Sequence, residues 1–301
     1  MIREKKIKSG KLLEVDIYPV ARDGRQLPRG SPSKRSSREQ EKYNRLKAKK
    51  RAVRLVNANF DGSDVLMTLT YSPGRSPEDE ARAKKDITNY LARVKRYRGR
   101  RAKELKAEIK AHPKSRKLKD ELKKAEAPMK YIYTLETKTY RRGERKGERS
   151  YHFHLFLTGC GSGDRDAYEG LWQGRTNADR FCPEKFGPEA AAKYICKEEK
   201  PDEDPFAPKK HRKKTFVGSR NLSKPKEKIR DGKITPNRAR IMAERHSSDS
   251  GYWERLYKGY KTLKIYTRWN EFNCHWYISV VMYRGDDDPP PWDEKIWVDE
   301  E

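Results

Sequence analysis

The chain has 301 residues, of which 34% are hydrophobic and 39% are charged, and its formal net charge is +27. This length allows one sizeable core with additions or two modest domains, and so strong a positive charge indicates nucleic acid as the partner. The sequence lacks an apolar run of about 18 residues that could cross a membrane and begins without the apolar region of a signal peptide, so we expect a cytoplasmic protein without a membrane partner.

The first 60 residues are predicted to contain one helix and at most one strand. Residues 12–18 alternate apolar and polar side chains and are followed by Gly, Pro, Ser and Arg, so residues 1–37 are interpreted as a flexible arm with a possible strand. Residues 37–60 place apolar side chains at helical spacing among many Lys and Arg. They predict a basic helix that ends near Asp61 and Gly62.

A strand and a long helical region follow. Residues 65–71 form an apolar, β-branched run that predicts a buried strand, and residues 76–98 carry apolar side chains at helical spacing. Residues 99–127 are almost entirely Lys, Arg, Glu, Ala and Leu, with a break at His112 and Pro113. They predict a polar helical insertion in two pieces that projects from the core.

Four further strands are predicted in the rest of the chain. Residues 131–136 and 151–157 are typical of an antiparallel hairpin, and so are residues 263–269 and 275–283. A short helix is predicted over residues 190–197. The predicted domains are the arm over residues 1–37, a principal α+β domain over residues 38–200, a basic extension with a β-hairpin over residues 201–285 and an acidic tail over residues 286–301.

His152 and His154 are the candidate metal ligands. Residues two apart in a strand point to the same face, so the two imidazoles lie side by side while Phe153 faces the core. Neutral imidazoles bind several divalent ions, and carboxylates often complete such sites. Glu136, on the neighbouring predicted strand, is the candidate carboxylate; alternatively, it is the outward-facing residue of an alternating strand and pairs with Lys138.

Tyr194 and Lys197 are the candidate catalytic residues. They are three apart in a predicted helix and therefore share a face. A phenol with the usual pKa of about 10 is a poor nucleophile, and a nearby ammonium favours the phenolate that attacks phosphorus. A metal ion would polarise the attacked phosphate. The alternative is that Tyr194 is an aromatic anchor that packs its helix.

These residues resemble the motifs of the HUH endonucleases, and more specifically of the single-tyrosine initiators of rolling-circle replication from bacterial plasmids and phages. Residues 57–60 and 67–71 are similar to the first motif of the family, residues 151–154 to its His-hydrophobic-His motif and residues 194–197 to its catalytic motif. Residues 171–174 resemble a Trp and Gly segment of the phage and plasmid members. The resemblance covers roughly residues 40–200.

The resemblance implies an α+β fold in which helices flank a central antiparallel sheet, as in the ferredoxin-like or RRM-like palm. It also implies that the tyrosine attacks single-stranded or hairpin origin DNA and leaves a 5′-phosphotyrosine and a free 3′-hydroxyl, with Mg²⁺ or Mn²⁺ as the ion. With one tyrosine, termination would need a second subunit or a water molecule activated by Glu198 or Glu199.

A host helicase is an expected partner, because the chain lacks the G-x-x-x-x-G-K-S/T phosphate loop of a helicase. A polymerase is the other expected partner, because the free 3′-hydroxyl would prime DNA synthesis. The expected location is the bacterial cell, or the host cytoplasm if a phage encodes the protein. Two other functions remain open. One is a transposase or relaxase with the same chemistry, and the other is a noncatalytic nucleic-acid-binding protein in which the histidines are incidental.

DNA contacts are expected from a strand face, a loop aromatic and basic segments. Thr68 and Thr70 share a strand face that could contact DNA, although the high β-propensity of threonine explains their presence in a strand equally well. Trp172 either stacks on a base or closes a loop over the core. The basic run at residues 209–214 is suited to contacts with phosphates. The candidates are Thr68, Thr70, Trp172, Lys193, Lys210, Arg212 and Lys213.

Overall fold

The computed structural model describes residues 1–20, 38–72, 74–139, 149–161, 163–190, 195, 216–285 and 289–292. Over these residues the chain has ten strands and seven helices, arranged in two units that each contain an antiparallel five-stranded sheet. The predicted α+β class with antiparallel sheets is therefore confirmed at that level. The more specific endonuclease fold stays a prediction.

The strands are numbered in chain order over the described residues. They are β1 (Ile2–Ser9), β2 (Leu12–Pro19), β3 (Val65–Tyr71), β4 (Tyr131–Thr139), β5 (Arg149–Leu157), β6 (Gly174–Arg180), β7 (Val217–Gly218), β8 (Lys226–Asp231), β9 (Tyr260–Asn270) and β10 (His275–Arg284). The helices are α1 (Arg38–Asn59), α2 (Glu80–Ala111), α3 (Arg116–Glu126), α4 (Arg165–Gly170), α5 (Pro183–Phe186), α6 (Pro236–Arg245) and α7 (Ser250–Leu256).

The two units are assembled from segments that are distant in sequence. The first unit combines Met1–Asn59, Pro183–Ala192 and Ser223–Glu301, and the second combines Phe60–Cys182 and Lys193–Leu222. This division differs from the sequence-based boundaries, because β1, β2 and α1 join β8, β9 and β10 in one unit. Pairing between strands more than 200 residues apart has no local sequence signal.

The first 20 residues differ most from the sequence-based expectation. β1 and β2 form a hairpin within the sheet of the first unit, whose strand order is β8-β1-β2-β10-β9. Gly10 has φ +60° at the turn, and a Cβ there would collide with the backbone of Asn57. The possible strand over residues 12–18 is therefore confirmed as β2, whereas the flexible arm is wrong for residues 1–20. Lys6 interrupts the apolar pattern of β1, in which Ile2 and Ile7 are buried.

The sheet of the first unit has an apolar cluster on each face. Trp253 of α7 packs with Val15 and Val280 on one face. On the other face, Val53 of α1 packs with Val281, which follows Val280 in β10. Successive strand residues point to opposite faces, so β10 contributes to both clusters.

The second unit contains the candidate histidines, and its sheet has the strand order β6-β3-β5-β4-β7. α2 begins at its N-cap Asp79, whose side chain accepts a hydrogen bond from the backbone N–H of Arg82 at 2.7 Å. Ile87 and Val94 of α2 are fully buried and belong to the same core as Phe153 of β5. This helix therefore closes one face of the sheet.

The polar helical insertion is predicted correctly as two pieces, since α2 ends at Ala111 and α3 begins at Arg116. It does not simply project, however, because Leu105 of α2 is buried. Arg98 is also buried, and its guanidinium donates to the carbonyl oxygens of Lys124 and Ala127 at 2.6 and 2.7 Å. A cation at the end of α3 satisfies carbonyls that lack helical partners. Within the described residues, no helix is long and apolar enough to span a membrane.

Candidate active site

The two candidate histidines lie on the middle strand of the sheet in the second unit. β5 pairs with β3 on one side and with β4 on the other. His152 lies directly opposite Thr70 of β3 and Glu136 of β4, and His154 lies opposite Thr68 of β3. Paired residues of an antiparallel ladder share a face, so these five side chains belong to one side of the sheet.

The alternate residues of β5 explain why this strand is fixed in place. Tyr151, Phe153 and Leu155 are fully buried in the core that includes α2. A shift of register by one residue would turn the histidines into the apolar core and turn these three side chains out of it. Such a shift is therefore unfavourable. The sequence Tyr-His-Phe-His-Leu therefore positions both imidazoles on the face away from α2.

Hydroxyl groups contact both histidines at Nδ1. Thr70 Oγ1 lies 3.0 Å from His152 Nδ1, and Thr68 Oγ1 lies 3.3 Å from His154 Nδ1. At the other ring nitrogen the two histidines differ. His152 Nε2 lies 3.0 Å from Ser150 Oγ, whereas His154 Nε2 lies 3.0 Å from Glu136 Oε2.

The donor types of the three predicted ligands fit a divalent metal ion, since His152, His154 and Glu136 offer imidazole nitrogens and a carboxylate. The structure brings His154 and Glu136 into direct contact, and both side chains are largely buried, with exposed fractions of 6% and 18%. His152 is close by in the ladder, but its Nε2 is directed at Ser150. In the part of the chain that the structure describes, no group of three or more His, Cys, Asp or Glu residues is arranged as a metal site.

β6 extends the same face with polar residues that sequence reasoning missed. Arg175 lies opposite Thr70, and Asn177 lies opposite Thr68. Both β6 side chains are exposed, and Asn177 donates to Asp179 at 2.8 Å. An exposed guanidinium two strands from His152 is well suited to a phosphate. The sequence did not predict β6, because its residues do not alternate between apolar and polar side chains.

Trp172 is a core residue, which supports the alternative that it closes a loop over the core and corrects the prediction that it stacks on a base. Only 6% of its surface is exposed, and its ring contacts Tyr90 and Phe153 edge-on, with centroid distances of 5.7 and 5.9 Å. Its indole N–H donates to the carbonyl oxygen of Thr70 at 3.0 Å. Gly174 is required beside it, because a Cβ there would collide with that same carbonyl oxygen.

Tyr71 follows Thr70 in β3 and is a poor candidate for the nucleophile. Burial raises its pKa well above the usual value, and the neighbouring Asp86 raises it further. Its hydroxyl donates to Asp86 Oδ2 at 3.1 Å. A phenol held in this way stays protonated at neutral pH.

The remaining predicted site residues lie outside the described part of the chain. They are Tyr194, Lys197, Lys193, Lys210, Arg212 and Lys213. Comparison of the chain with protein-family models, with curated proteins and with solved structures gives no match.

Proposed function

We propose that this protein is a metal-dependent DNA nicking enzyme that initiates rolling-circle replication, with Tyr194 as the nucleophile. The observation that carries the proposal is the register of β3, β4 and β5, which gathers two histidines, two threonines and Glu136 on one face. An incidental His-x-His pair would not be expected to meet a hydroxyl at both Nδ1 atoms and a carboxylate at one Nε2.

The proposed reaction exchanges one phosphate ester for another. The Tyr194 oxygen attacks a DNA phosphorus, the bond from phosphorus to the 3′ oxygen breaks, and the 5′ side stays attached as a phosphotyrosine. The phenol loses its proton, and the departing 3′ oxygen gains one and becomes the hydroxyl that primes a polymerase. Lys197, one helical turn from Tyr194 in the predicted helix, favours the phenolate.

The candidate ligands His152, His154 and Glu136 would hold the Mg²⁺ or Mn²⁺ ion. When bound, the ion supplies polarisation of the scissile phosphate and offsets charge in the transition state. Arg175, exposed on the adjacent β6, adds a positive charge that contacts the DNA backbone. In this proposal Thr68 and Thr70 do not contact the metal ion or the DNA themselves, and their hydroxyls orient the rings of His154 and His152, respectively.

The proposed partners are single-stranded or hairpin origin DNA, a host helicase and a polymerase. The net charge of +27 supports a nucleic-acid partner. The same charge supports the second candidate, a noncatalytic nucleic-acid-binding protein. A transposase or relaxase would use the same chemistry on different DNA, so the DNA that is cut separates it from a replication initiator.

A covalent-adduct assay tests this proposal. The protein is incubated with Mn²⁺ and single-stranded circular DNA, or with a pool of hairpin oligonucleotides, and denaturing electrophoresis detects protein-linked DNA. The native protein is expected to form an adduct, whereas Tyr194→Phe and the double variant His152→Ala/His154→Ala are expected to lose it. Tyr43→Phe is a matched control, because this tyrosine is exposed on α1 and Lys47 Nζ lies 4.9 Å from its ring centroid.

One result would count against Tyr194 as the nucleophile, and another would count against nicking itself. If Tyr194→Phe forms as much adduct as the native protein, another residue is the nucleophile. If no variant and no substrate gives an adduct while salt-sensitive DNA binding persists unchanged in all of them, the noncatalytic DNA-binding candidate is favoured.

A further inference from the structure

We propose that Thr68 and Thr70 are positioning residues that allow each histidine to change the ring nitrogen that carries its proton when a divalent ion binds. This inference rests on the proposed function, since it assumes that His152 and His154 are metal ligands. Its structural basis is the pairing of the two Thr residues of β3 with the two His residues of β5, each Thr directly opposite its own His.

The backbone holds the threonine hydroxyls in place. In β3, Thr68 and Thr70 alternate with Met67 and Leu69, which are fully buried in the core. Threonine is β-branched, so its χ1 angle has few allowed values in a strand. The hydroxyl oxygens are thus fixed beside the Nδ1 atoms, at 3.0 Å from His152 and 3.3 Å from His154.

The contact with Glu136 defines the proton position of His154 in the metal-free protein. An ionised carboxylate only accepts hydrogen bonds, so His154 Nε2, at 3.0 Å from Glu136 Oε2, carries the hydrogen. In a neutral imidazole Nδ1 is then the acceptor, and the Thr68 hydroxyl donates to it. The hydrogen on Nε2 blocks the atom that the metal ion would need.

Metal binding at Nε2 requires the opposite arrangement. The lone pair of Nε2 binds the ion, the ring proton resides on Nδ1, and Nδ1–H donates to the Thr68 oxygen. A hydroxyl serves both arrangements, because it can donate or accept by rotating about its C–O bond. A ring that is neutral both before and after metal binding keeps one proton, so moving that proton from Nε2 to Nδ1 releases none.

His152 differs from His154 in the group that contacts Nε2. Its Nδ1 lies 3.0 Å from the Thr70 hydroxyl oxygen, and its Nε2 lies 3.0 Å from the Ser150 hydroxyl oxygen. Neither hydroxyl imposes a proton position on the ring, in contrast to the carboxylate at His154. We therefore expect the proton position to change on metal binding most clearly at His154.

The test compares hydroxyl removal with hydroxyl retention. Thr68→Val and Thr70→Val remove the oxygen and keep the branched shape, whereas Thr68→Ser and Thr70→Ser keep the oxygen. Thr267→Val on β9, in the first unit, is the control for the same change elsewhere. Long-range ¹H–¹⁵N spectra of the imidazoles report which ring nitrogen carries the hydrogen, without metal and during titration with Mg²⁺.

The native protein is expected to show His154 with hydrogen on Nε2 before metal and on Nδ1 at saturation. Mn²⁺ affinity measured by calorimetry is expected to fall about 10- to 100-fold in each Thr→Val variant, the range for lost partners of metal-bound histidines. The Thr→Ser variants are expected to stay within about threefold of the native affinity, because they keep a hydroxyl at Nδ1. A purely structural role would not give this rescue or alter the ring spectra.

Two outcomes would overturn the inference alone, and a third would reject the proposed function together with it. Unchanged Mn²⁺ affinity in both Thr→Val variants would overturn it even if the native protein forms the DNA adduct. A metal-free native spectrum with hydrogen on His154 Nδ1 would also overturn it. Absence of any Mg²⁺ or Mn²⁺ effect on the histidine signals of the native protein would instead reject the metal site of the proposed function, and the inference with it.

Discussion

Trp172 donates its indole N–H to the backbone carbonyl oxygen of Thr70 at 3.0 Å, and Thr70 places its hydroxyl 3.0 Å from His152 Nδ1. One residue of β3 therefore joins the hydrophobic core to the candidate site. Trp172 is 6% exposed, so its ring supports the strand from the core rather than contacting solvent.

Replacing Trp172 by Phe is expected to loosen β3, because it removes the donor to Thr70 and leaves unfilled volume in the core. The expected loss is about 1–3 kcal/mol, seen as roughly 5- to 150-fold faster amide hydrogen exchange in β3 and β5. Trp269→Phe is the matched control, since Trp269 is 44% exposed and lies on β9. Unchanged exchange in β3 would show that Trp172 does not support this strand.

Asp64 gives a prediction about pH. This carboxyl, in the residue before β3, is 7% exposed, and burial raises its pKa to about 6 from an ordinary value of 3.8. The folded state therefore binds the proton more tightly than the unfolded state. The resulting stabilisation is complete below about pH 4 and is lost as the pH rises through about 6.

Asp64→Asn removes this titration while keeping a similar shape. Relative to the native protein, we expect the free energy of unfolding of the variant to rise by at most about 3 kcal/mol between pH 4 and pH 6.5. Urea unfolding at a series of pH values measures the difference, and Asp120→Asn at an exposed position of α3 is the control. Parallel pH profiles for native protein and Asp64→Asn would contradict the prediction.

The first unit contains a buried ion pair between its sheet and α1. The Arg54 guanidinium binds the Glu14 carboxylate through two contacts, of 2.8 and 2.6 Å, and the Glu14 side chain is 2% exposed. Arg54→Met is expected to lower the free energy of unfolding by about 3–5 kcal/mol, because it leaves a buried carboxylate without its partner. Urea unfolding measures this loss.

Two further variants separate charge from packing at this ion pair. Adding Glu14→Leu to Arg54→Met is expected to recover most of the stability, since the double variant buries no charge. Arg51→Met, at an exposed position of the same helix, is expected to change stability by less than about 0.5 kcal/mol. A double variant as unstable as Arg54→Met alone would mean that the loss comes from packing.

The sequence predicted the strands that carry the site more successfully than the strands around them. β3, β4 and β5 have apolar or β-branched runs of strand length, and the predicted hairpin of residues 131–136 and 151–157 is confirmed by the pairing of β4 with β5. β6 was missed because its alternation is polar. β1 was missed because lysines interrupt its apolar residues.

The contacts within the site could be predicted only in part. Two-residue spacing places His152 and His154 on one face, and Glu136 was expected on the neighbouring strand, as found. The pairing of each histidine with its own threonine depends on the register of β3 against β5. That register is set by the packing of the core residues that alternate with the threonines in β3 and with the histidines in β5. The sequence of one strand alone does not show which residues of the other strand lie opposite it.

Peptide mapping of the adduct shows whether Tyr194 forms the covalent bond to DNA. Trypsin cleaves after Lys193 and Lys197, so it releases Tyr194 within a four-residue peptide. After nuclease digestion of the bound DNA, mass spectrometry is expected to find the nucleotide mass on this peptide and on its tyrosine. A nucleotide on any other peptide, or a native protein that cuts DNA without retaining a nucleotide, would show that Tyr194 is not the nucleophile.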